Sequence, residues 1–483
     1  MSLAQLWRTI YRVSQEQKLP IYAVGGYVRD RLLKKKGKVK DIDFVVDGSG
    51  IVFARAFDVA LKQIGSLIEF PEFDTARYVF CREHDGQKEV TLEVEFAGAR
   101  KEAYQDKSRK PQVEKATLAE DLQRRDFTVN ALARAVGPSG LKRTLIDPFF
   151  GQKDLQQKIL RTPLDPDITF SEDPLRLLRA ARFAAQLNFS LAPETLAALT
   201  RNRQRLSIVS SERIKEELFK LLATPQPSLG LQVLFSTQVL EEFLPELTAL
   251  SGVEEIFGQH HKNNFVHTLK VVDNIAQRSD KVILRLAGLL HDIGKTGTKE
   301  FIPGRGWAFD MHEHLGRKLA LDICRRLRLS KEETKYVTKL VRYHQQPIAL
   351  MDAGVTDSAV RRLIVSLGDN LEDLLTLCRS DITTGNPEKL RQRLANYDRL
   401  EKRILAVVET DKLRAFQSPL RGEEIMELCG LAPGPTVGRI KKALEEAILE
   451  GEIPNDHDAT KALLLKIKDQ YLTRMGDWEE AKK

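Results

Sequence analysis

Apolar and polar positions change rhythm near residue 135. Before that point the apolar residues come in short runs. "IYAVGG" (21–26) and "DIDFVVDG" (41–48) are compact and end at turn residues, while "ARYVFCRE" (76–83) and "EVTLEVEFAG" (89–98) alternate or are β-branched. These patterns predict strands. The opening "MSLAQLWRTIYRVSQEQKLP" spaces its apolar residues as an amphipathic helix does. From about Leu155 apolar residues recur at i, i+3, i+4 and i+7, as in "DPLRLLRAARFAAQLNF" (173–189) and "ERIKEELFKLLATPQP" (212–227). That period predicts helices through nearly all of the remainder. Pro225, Pro227 and Gly230 mark one punctuation point, and "FGQHHKNN" (257–264) and "TTGNPEK" (383–389) mark two more. The expected architecture is a small head of mixed strand and helix, then a long helical body.

Composition narrows the class without fixing it. A chain of 483 residues has room for several domains, at about 100–200 residues each. The apolar share of 42% is that of a globular protein. No run is long and apolar enough to span a membrane, and the first residues lack the apolar block of a signal peptide. A cytoplasmic protein with no membrane partner is expected. Cys81, Cys324, Cys378 and Cys429 are scattered with no CxxC pair, which argues against a zinc ribbon and a disulfide framework. The net charge of +8, from 76 basic and 68 acidic residues, allows a polyanionic partner without requiring one.

Asp41 and Asp43 carry the first chemical signal. At i, i+2 on a strand their side chains share a face. Apolar Ile42, Phe44 and Val45 imply a packed strand, so the carboxylates repel one another unless a divalent cation relieves them. Mg²⁺ takes oxygen ligands and binds one or two carboxylates together with substrate phosphates. A pair of such ions serves phosphoryl transfer. Gly25 and Gly26 stand where a strand turns into a helix, which lets backbone amides approach an anion, and Arg29 can add charged contacts. A third carboxylate is expected from "LEVEFAGARKEAY", where Glu93 and Glu95 again share a face.

Further segments follow in order: "EDLQRRDFTVNALA" (120–133), "DPFFGQKDL" (147–155), "EDPLRLLRAARFAAQLNF" (172–189) and "SSERIKEELFKLL" (210–222). With GGxVRD…DxD before them, this series resembles the class II tRNA nucleotidyltransferase and poly(A) polymerase family over about residues 20–222. The resemblance implies an α+β nucleotidyltransferase palm (mixed β-sheet with helices), then an elongated all-α body. The expected divisions are a head over 1–150, a helical neck over 151–225, a body over 226–400 and a tail over 401–483. It implies Mg²⁺ on Asp41 and Asp43, with Glu95 as the third catalytic carboxylate. Gly25, Gly26, Arg29 and Asp30 match the phosphate-side loop. Arg124, Arg125, Asp126 and Asn130 match the segment contacting sugar and phosphates. Glu172, Asp173 and Arg176 match the nucleotide-selecting motif, which Glu212 and Arg213 brace, and Arg179 is expected among the nucleotide-binding residues. At i, i+3, Asp173 and Arg176 would be neighbours on one helix face, a carboxylate accepting from an exocyclic amine and a guanidinium donating to a ring nitrogen. Cytosine and adenine offer that pattern; uracil and guanine would leave the pair unmatched. The segment "DPFFG" departs from the family's usual two glycines. "RKEAYQDKSRKPQVEKATLAED" (100–121) corresponds to a variable loop that bears on the switch from C to A addition.

Seven of the nine histidines lie between His260 and His344. "NFVHTLKVV", "LAGLLHDIGK" and "LCRSDITTGN" together resemble the HD phosphohydrolase superfamily. That resemblance implies His267, His291, Asp292 and Asp381 as ligands of Mn, Ni, Co, Fe or Mg, with His314 and His344 as extra candidates and His312 as a bystander. The tail around Gly434, Pro435, Arg439, Lys441 and Lys442 resembles a helix-turn-helix ending that can meet tRNA phosphates. The expected activity is template-independent addition of C, C and A to the tRNA 3′ end from CTP and ATP. The alternatives are a CC-adding or A-adding enzyme, a poly(A) polymerase, or a metal-dependent phosphohydrolase with an RNA-binding head.

Overall fold

The computed structural model describes residues 2–35, 37, 39–84, 87–103, 112–252, 255–256, 259–260, 263–352, 354–411 and 419–474. The chain divides into two compact units, Met1–Thr248 and Ala249–Lys483.

The first unit opens with the amphipathic helix Leu3–Gln17, started by a capping box in which Ser2 and Gln5 satisfy each other's backbone amides. Among the described residues nine strands follow in this part of the unit, and seven of them build one mixed sheet. In chain order they are β1 (Ile21–Val24), β2 (Asp41–Val46), β3 (Ser66–Phe70), β4 (Thr75–His84), β5 (Gln87–Gly98), β6 (Arg100–Ala103), β7 (Gln112–Lys115), β8 (Ala133–Gly137) and β9 (Gly140–Leu141). The sheet runs β3-β4-β5-β2-β1-β8-β9, and β6 pairs separately with β7. The tip between β6 and β7, in the loop expected to be variable, lies outside the described residues.

Helix Gly50–Ala60 and the β3–β4 hairpin return the chain so that β5 lies parallel to β2. Period-two alternation then sorts the side chains. Ile42, Phe44, Val94 and Phe96 are fully buried. Phe44 stacks on Phe96 at 5.5 Å and meets Trp7 of the first helix at 5.7 Å, and Phe53 and Phe57 of helix Gly50–Ala60 close on Phe96 at 5.1 and 5.0 Å. Burying each such ring contributes roughly 1.5–3 kcal/mol. The carboxylates on the opposite face are thus fixed by a dense aromatic layer behind them.

The helices that follow in this unit include Pro166–Glu172, Leu175–Leu187, Pro193–Asn202, Ser211–Leu222 and Pro227–Ser236. Leu175–Leu187 is the central one, with most of its residues buried. Gly230, which the sequence pattern marks as punctuation, instead lies inside helix Pro227–Ser236. A Cβ there would stand 2.6 Å from the Ala181 carbonyl oxygen, so the glycine permits a close helix crossing.

The second unit is mostly helical, from Asn264–Ala276 through His457–Leu472. The body is helical as expected and carries three short strand pairs, Ile159–Leu160 with Ser190–Leu191 in the first unit, and Glu255–Ile256 with Gln259–His260 and Glu300–Ile302 with Gly306–Ala308 in the second. Runs of two or three residues are too short to show a period. Helices Gly422–Cys429, Pro435–Glu450 and His457–Leu472 end the described chain around a small core of Leu420, Ile425, Ile440, Leu444 and Leu464. Gly434 and Pro435 stand at the start of the middle helix. No helix among the described residues is long and apolar enough to cross a membrane.

Candidate active site and metal centre

The register sets Asp41 opposite Glu93 and Asp43 opposite Glu95, so all four carboxylates share one sheet face. Arg77 reaches two of them, at 3.7 Å from Glu93 and 3.3 Å from Glu95. Burial raises the Asp43 carboxyl, the charges of Glu95 and Asp41 raise it further against the pull of Arg125, and the result is about 6. The strand therefore holds more negative charge than its surroundings neutralise, which is the condition a divalent cation relieves.

Gly25 ends β1 at a φ of 68°, a conformation that glycine takes without strain. A Cβ there would lie 3.1 Å from an Arg125 guanidinium nitrogen and 3.5 Å from an Asp43 oxygen. Gly26 starts helix Gly26–Leu32, which places the buried Arg29 among polar partners. Arg29 donates to Asp30 at 2.8 Å and to the Asn130 side-chain oxygen at 2.7 Å; Asn130 donates to Asp126 at 2.9 Å; and Arg179 closes on Asp126 at 2.9 Å through Nε. Burial raises the Asp126 carboxyl, but Arg179 and Asn130 outweigh it and hold it near 2. Arg124 and Arg125 both anchor on the buried Asp121, at 2.8 and 3.1 Å. Residues far apart in sequence thus form one relay from the glycine turn to helix Leu175–Leu187.

The nucleotide-selecting motif is placed differently from the sequence expectation. Asp173 and Arg176 do not share a continuous helix. Helix Pro166–Glu172 stops, Asp173 takes extended backbone angles, and the next helix starts at Leu175. The cause is Pro174, which excludes the helical region for the residue before it. Asp173 pairs with Arg213 at 3.3 Å rather than with Arg176. Arg176 donates to the Thr169 carbonyl at 3.0 Å, to Glu172 at 3.3 Å and to the Arg124 carbonyl. Both side chains nevertheless line the same cavity.

That cavity is about 1280 Å³ and is lined by Gly26, Arg29, Asp30, Asp41, Asp43, Arg124, Arg125, Asp126, Asn130, Asp173, Arg176 and Arg179, and by Lys40, Arg100, Arg182, Phe183, Gln186 and Arg213 among others. Basic side chains outnumber acidic ones, which suits a polyanion beside a carboxylate pair. Glu95 lies beside Asp43 on the neighbouring strand and is not among the lining residues. Sequence reasoning missed Lys40, Arg100, Arg182 and Phe183. The Phe183 ring carries the guanidinium of Arg182 at 4.1 Å and those of Arg29 and Arg179 at 5.3 and 5.5 Å. The spacing Arg176, Arg179, Arg182, with Phe183 at i+7, was the available signal.

The second unit gathers the histidines. His267 Nε2 lies 2.8 Å from Asp381, and His291 Nε2 lies 3.3 Å from Asp292 and 3.5 Å from Asp381. His312 and His344 approach Asp292 at 3.4 and 3.7 Å. His291, Asp292, His312 and His344 are all buried. Two of the sequence assignments reverse. His312 joins the cluster, whereas His314, half-exposed, lies outside it and approaches Glu313 at 3.6 Å. The buried stripe of helix His312–Arg326 is His312, Gly316, Ala320, Ile323 and Cys324, and His314 falls off it.

The cluster fits a metal. His291 Nδ1 meets the Gly288 carbonyl at 2.8 Å, leaving Nε2 as a buried atom with no hydrogen-bond partner despite nearby carboxylates. Burial pushes His291 down, but Asp292 and Asp381 outweigh it and hold the imidazole up to about 10. Burial raises Asp292 and Asp381, yet the histidines and Lys295 hold both well below the usual range. The site demands positive charge at its centre.

Comparison with known proteins shows the family. Family models match three stretches: the Poly A polymerase head domain over residues 21–161, the probable RNA and SrmB-binding site of polymerase A over 188–250, and the HD domain over 258–374. The Multifunctional CCA protein of Nitrosococcus oceani is 34% identical over 85% of this chain and 95% of its own length. The chain belongs to the tRNA nucleotidyltransferase family. Two further relatives are the A-adding tRNA nucleotidyltransferase of Deinococcus radiodurans, 34% identical over 71% of this chain and 78% of its own, and the CC-adding tRNA nucleotidyltransferase of Thermus thermophilus, 35% identical over 72% and 77%. The crystal structure of the Bacillus stearothermophilus CCA-adding enzyme in complex with CTP has a TM-score of 0.65 over 99% of this chain and all of that one, at 22% identity; it shows the same fold. This tRNA nucleotidyltransferase is an enzyme with two metal-dependent domain types, a head and an HD domain. Asp381 lies just past the HD match, on the turn after helix Leu371–Ser380.

Proposed function

We propose that this enzyme adds C, C and A to the 3′ end of tRNA from CTP and ATP, in the cytoplasm and without a nucleic-acid template. The observation that carries the reading is the single cavity holding Asp41 and Asp43, the arginine relay, and Asp173 with Arg176. Asp41 and Asp43, with Glu95 beside Asp43 on the neighbouring strand, would hold Mg²⁺. Bound there, such ions make the attacking hydroxyl more acidic and neutralise the departing pyrophosphate. The chain's own residues do the rest. Gly25 keeps the turn narrow, so backbone and triphosphate come close. Arg29, Arg124 and Arg125 are pre-oriented by Asp30, Asn130 and Asp121, so little order is lost on binding the phosphates. Asp173 accepts from the exocyclic amine of cytosine or adenine, and Arg176 donates to the adjacent ring nitrogen. Uracil or guanine would leave those groups unmatched, at about 1–3 kcal/mol each. The second unit would hold a divalent transition metal or Mg²⁺ on imidazole and carboxylate ligands, serving a phosphohydrolase activity.

A second reading is a partial enzyme, because the A-adding and CC-adding relatives match at 34% and 35%, no more distantly than the multifunctional one at 34%. The test gives purified protein and Mg²⁺ three tRNA transcripts, ending before CCA, after C and after CC. Each receives CTP, ATP or both, and the products are sequenced. CCA ends on all three, abolished by Asp43→Ala, support the proposal. Addition of only C or only A indicates one half of a split pathway. Homopolymeric A tails indicate a poly(A) polymerase, and no incorporation moves the activity to the HD site.

A further inference from the structure

The cavity of the first unit is larger than one nucleotide needs. Its volume of about 1280 Å³ exceeds the roughly 300–1,000 Å³ of an ordinary small-molecule site, and the base-selecting pair Asp173 and Arg176 takes up only one part of its wall. Among the described residues its aromatic lining is Tyr27, Phe73 and Phe183. Tyr27 packs on Trp7 at 5.7 Å, and Phe183 is surrounded by the guanidinium groups of Arg29, Arg179 and Arg182. Among the described residues the half-buried Phe73 meets one such group, that of Arg100, 5.6 Å from its ring centre. Building on the nucleotide-addition reading above, we propose that Phe73 and Arg100 form a stacking platform for the last base of the RNA strand being extended, apart from the position of the incoming nucleotide.

The turn that carries Phe73 is held from both sides. Arg100 Nη1 donates to the Phe73 carbonyl at 2.6 Å and to Thr75 Oγ1 at 2.8 Å. Asp74, at a φ of 43°, accepts from Ser49 Oγ at 2.6 Å and from the Gly50 and Ile51 amides at 3.2 and 3.3 Å, at the start of helix Gly50–Ala60. Its carbonyl accepts from the Gly98 amide at 3.0 Å, and a Cβ on Gly50 would stand 2.6 Å from that oxygen. A residue other than glycine keeps left-handed angles where its surroundings fix them. The ring is thus set in place beforehand, so little order is lost when a base stacks on it.

The sheet puts the platform on the side of the nucleophile. β1, with the glycine turn after it, pairs with one side of β2, Val24 opposite Asp43. β5 pairs with the other side, Glu95 opposite Asp43, and β4 lies beyond it. Phe73 stands just before β4, and Arg100 opens β6 just past β5. In an in-line displacement the attacking and leaving oxygens lie on opposite sides of the phosphorus. With a triphosphate against the glycine turn and Arg29, the RNA 3′-hydroxyl approaches from the β5 side. Single-stranded RNA ends are held by stacking bases on aromatic rings and guanidinium planes, and Arg100 adds a cation for the adjoining phosphate. Arg124 Nε donates to the Arg100 carbonyl at 3.1 Å, and Arg176 donates to the Arg124 carbonyl. The platform therefore adjoins the base-selecting arginine, as two successive bases adjoin in a strand.

The test measures binding of a 5′-labelled tRNA transcript ending in CC to the full chain, with no nucleotide present, and of the same transcript lacking only its terminal base. The abasic transcript should bind the parent about 5- to 100-fold more weakly. Phe73→Ala should weaken the intact transcript by a like factor and make the two transcripts bind alike. Phe73→Trp should keep the parental values, and KM for ATP should be unchanged in Phe73→Ala. Equal binding of both transcripts by the parent would overturn the platform with no variant involved. An abasic penalty that persists in Phe73→Ala would overturn it too, as would a raised KM for ATP with RNA affinity unchanged, which assigns Phe73 to the incoming nucleotide. The binding measurement needs no turnover, so a parent that adds no nucleotide yet shows the coupled loss would defeat the addition reading and leave the platform standing.

Discussion

Asp43 is the residue where function and stability oppose each other. Its carboxyl is raised to about 6 without metal, above the range of an unfolded chain. A raised carboxyl favours folding only while protonated, so the metal-free head loses stability as pH rises from about 4 through about 6. Asp126, held near 2 by Arg179 and Asn130, has the opposite sign: its contribution is present above about pH 4 and lost as pH falls toward 2. Two outcomes are expected. In chelator at pH 7.5, Asp43→Asn should unfold later than the parent, by about 1–3 kcal/mol, while nucleotide addition is lost. Thermal melts and an incorporation assay decide it, and an unchanged or lower midpoint would contradict the electrostatic account. The rise in midpoint produced by Mg²⁺ should also be larger at pH 7.5 than at pH 5. At the same scale, Arg176→Ala should cut the preference for CTP and ATP over UTP and GTP by about 10- to 100-fold, read as kcat/KM for the four triphosphates. An unaltered preference would remove Arg176 from base selection. At this scale the carboxylates were legible, because i, i+2 spacing on a strand permits only one arrangement. His312 was not, because two histidines at i, i+2 on a helix point apart and only the buried stripe decides between them.

Among the elements, helix boundaries were harder to read than helix faces. The apolar period of residues 173–189 was correct, but the helix starts at Leu175 because Pro174 fixes Asp173 as extended. The proline was in view, and a continuous apolar pattern masked its effect. Gly230 is the converse case. Beside two prolines it reads as a break, yet it lets helix Pro227–Ser236 approach Leu175–Leu187, with Ala181 O 2.6 Å from where a Cβ would be. Gly230→Val should therefore lower stability by about 1–3 kcal/mol. It should also weaken nucleotide binding, because the displaced helix carries Arg176, Arg179 and Arg182. Denaturant melts and KM for CTP would check both, and a stable variant with unchanged KM would show that the crossing can relax.

For the whole molecule, each unit has its own core and its own polar centre. The ordered motifs made the family legible from the chain alone. The division after Thr248 was not, because no change of composition marks it. The metal reading has a consequence beyond catalysis. Buried His291, Asp292, His312 and His344 come from different helices or their ends, which a bound ion would tie together. Chelation should raise amide exchange about tenfold or more in Asn264–Ala276 and Val282–Leu290, in the Asp41→Ala, Asp43→Ala background, as measured by mass spectrometry. That corresponds to about 1.4 kcal/mol of local stability. Unchanged exchange there would mean that the cluster stands without an ion.

Arg176 is held by the carbonyl oxygens of Thr169 and Arg124 as well as by Glu172. Two of its three anchors are main chain, which every amino acid supplies. Drift in the side chains at 169 and 124 therefore leaves the guanidinium where it is. On the proposed reading of Arg176 as a base-selecting group, the choice of nucleotide is set largely by the path of the backbone. Rewriting the alphabet would take a new course for the chain between residues 124 and 176, not a new neighbour for one arginine.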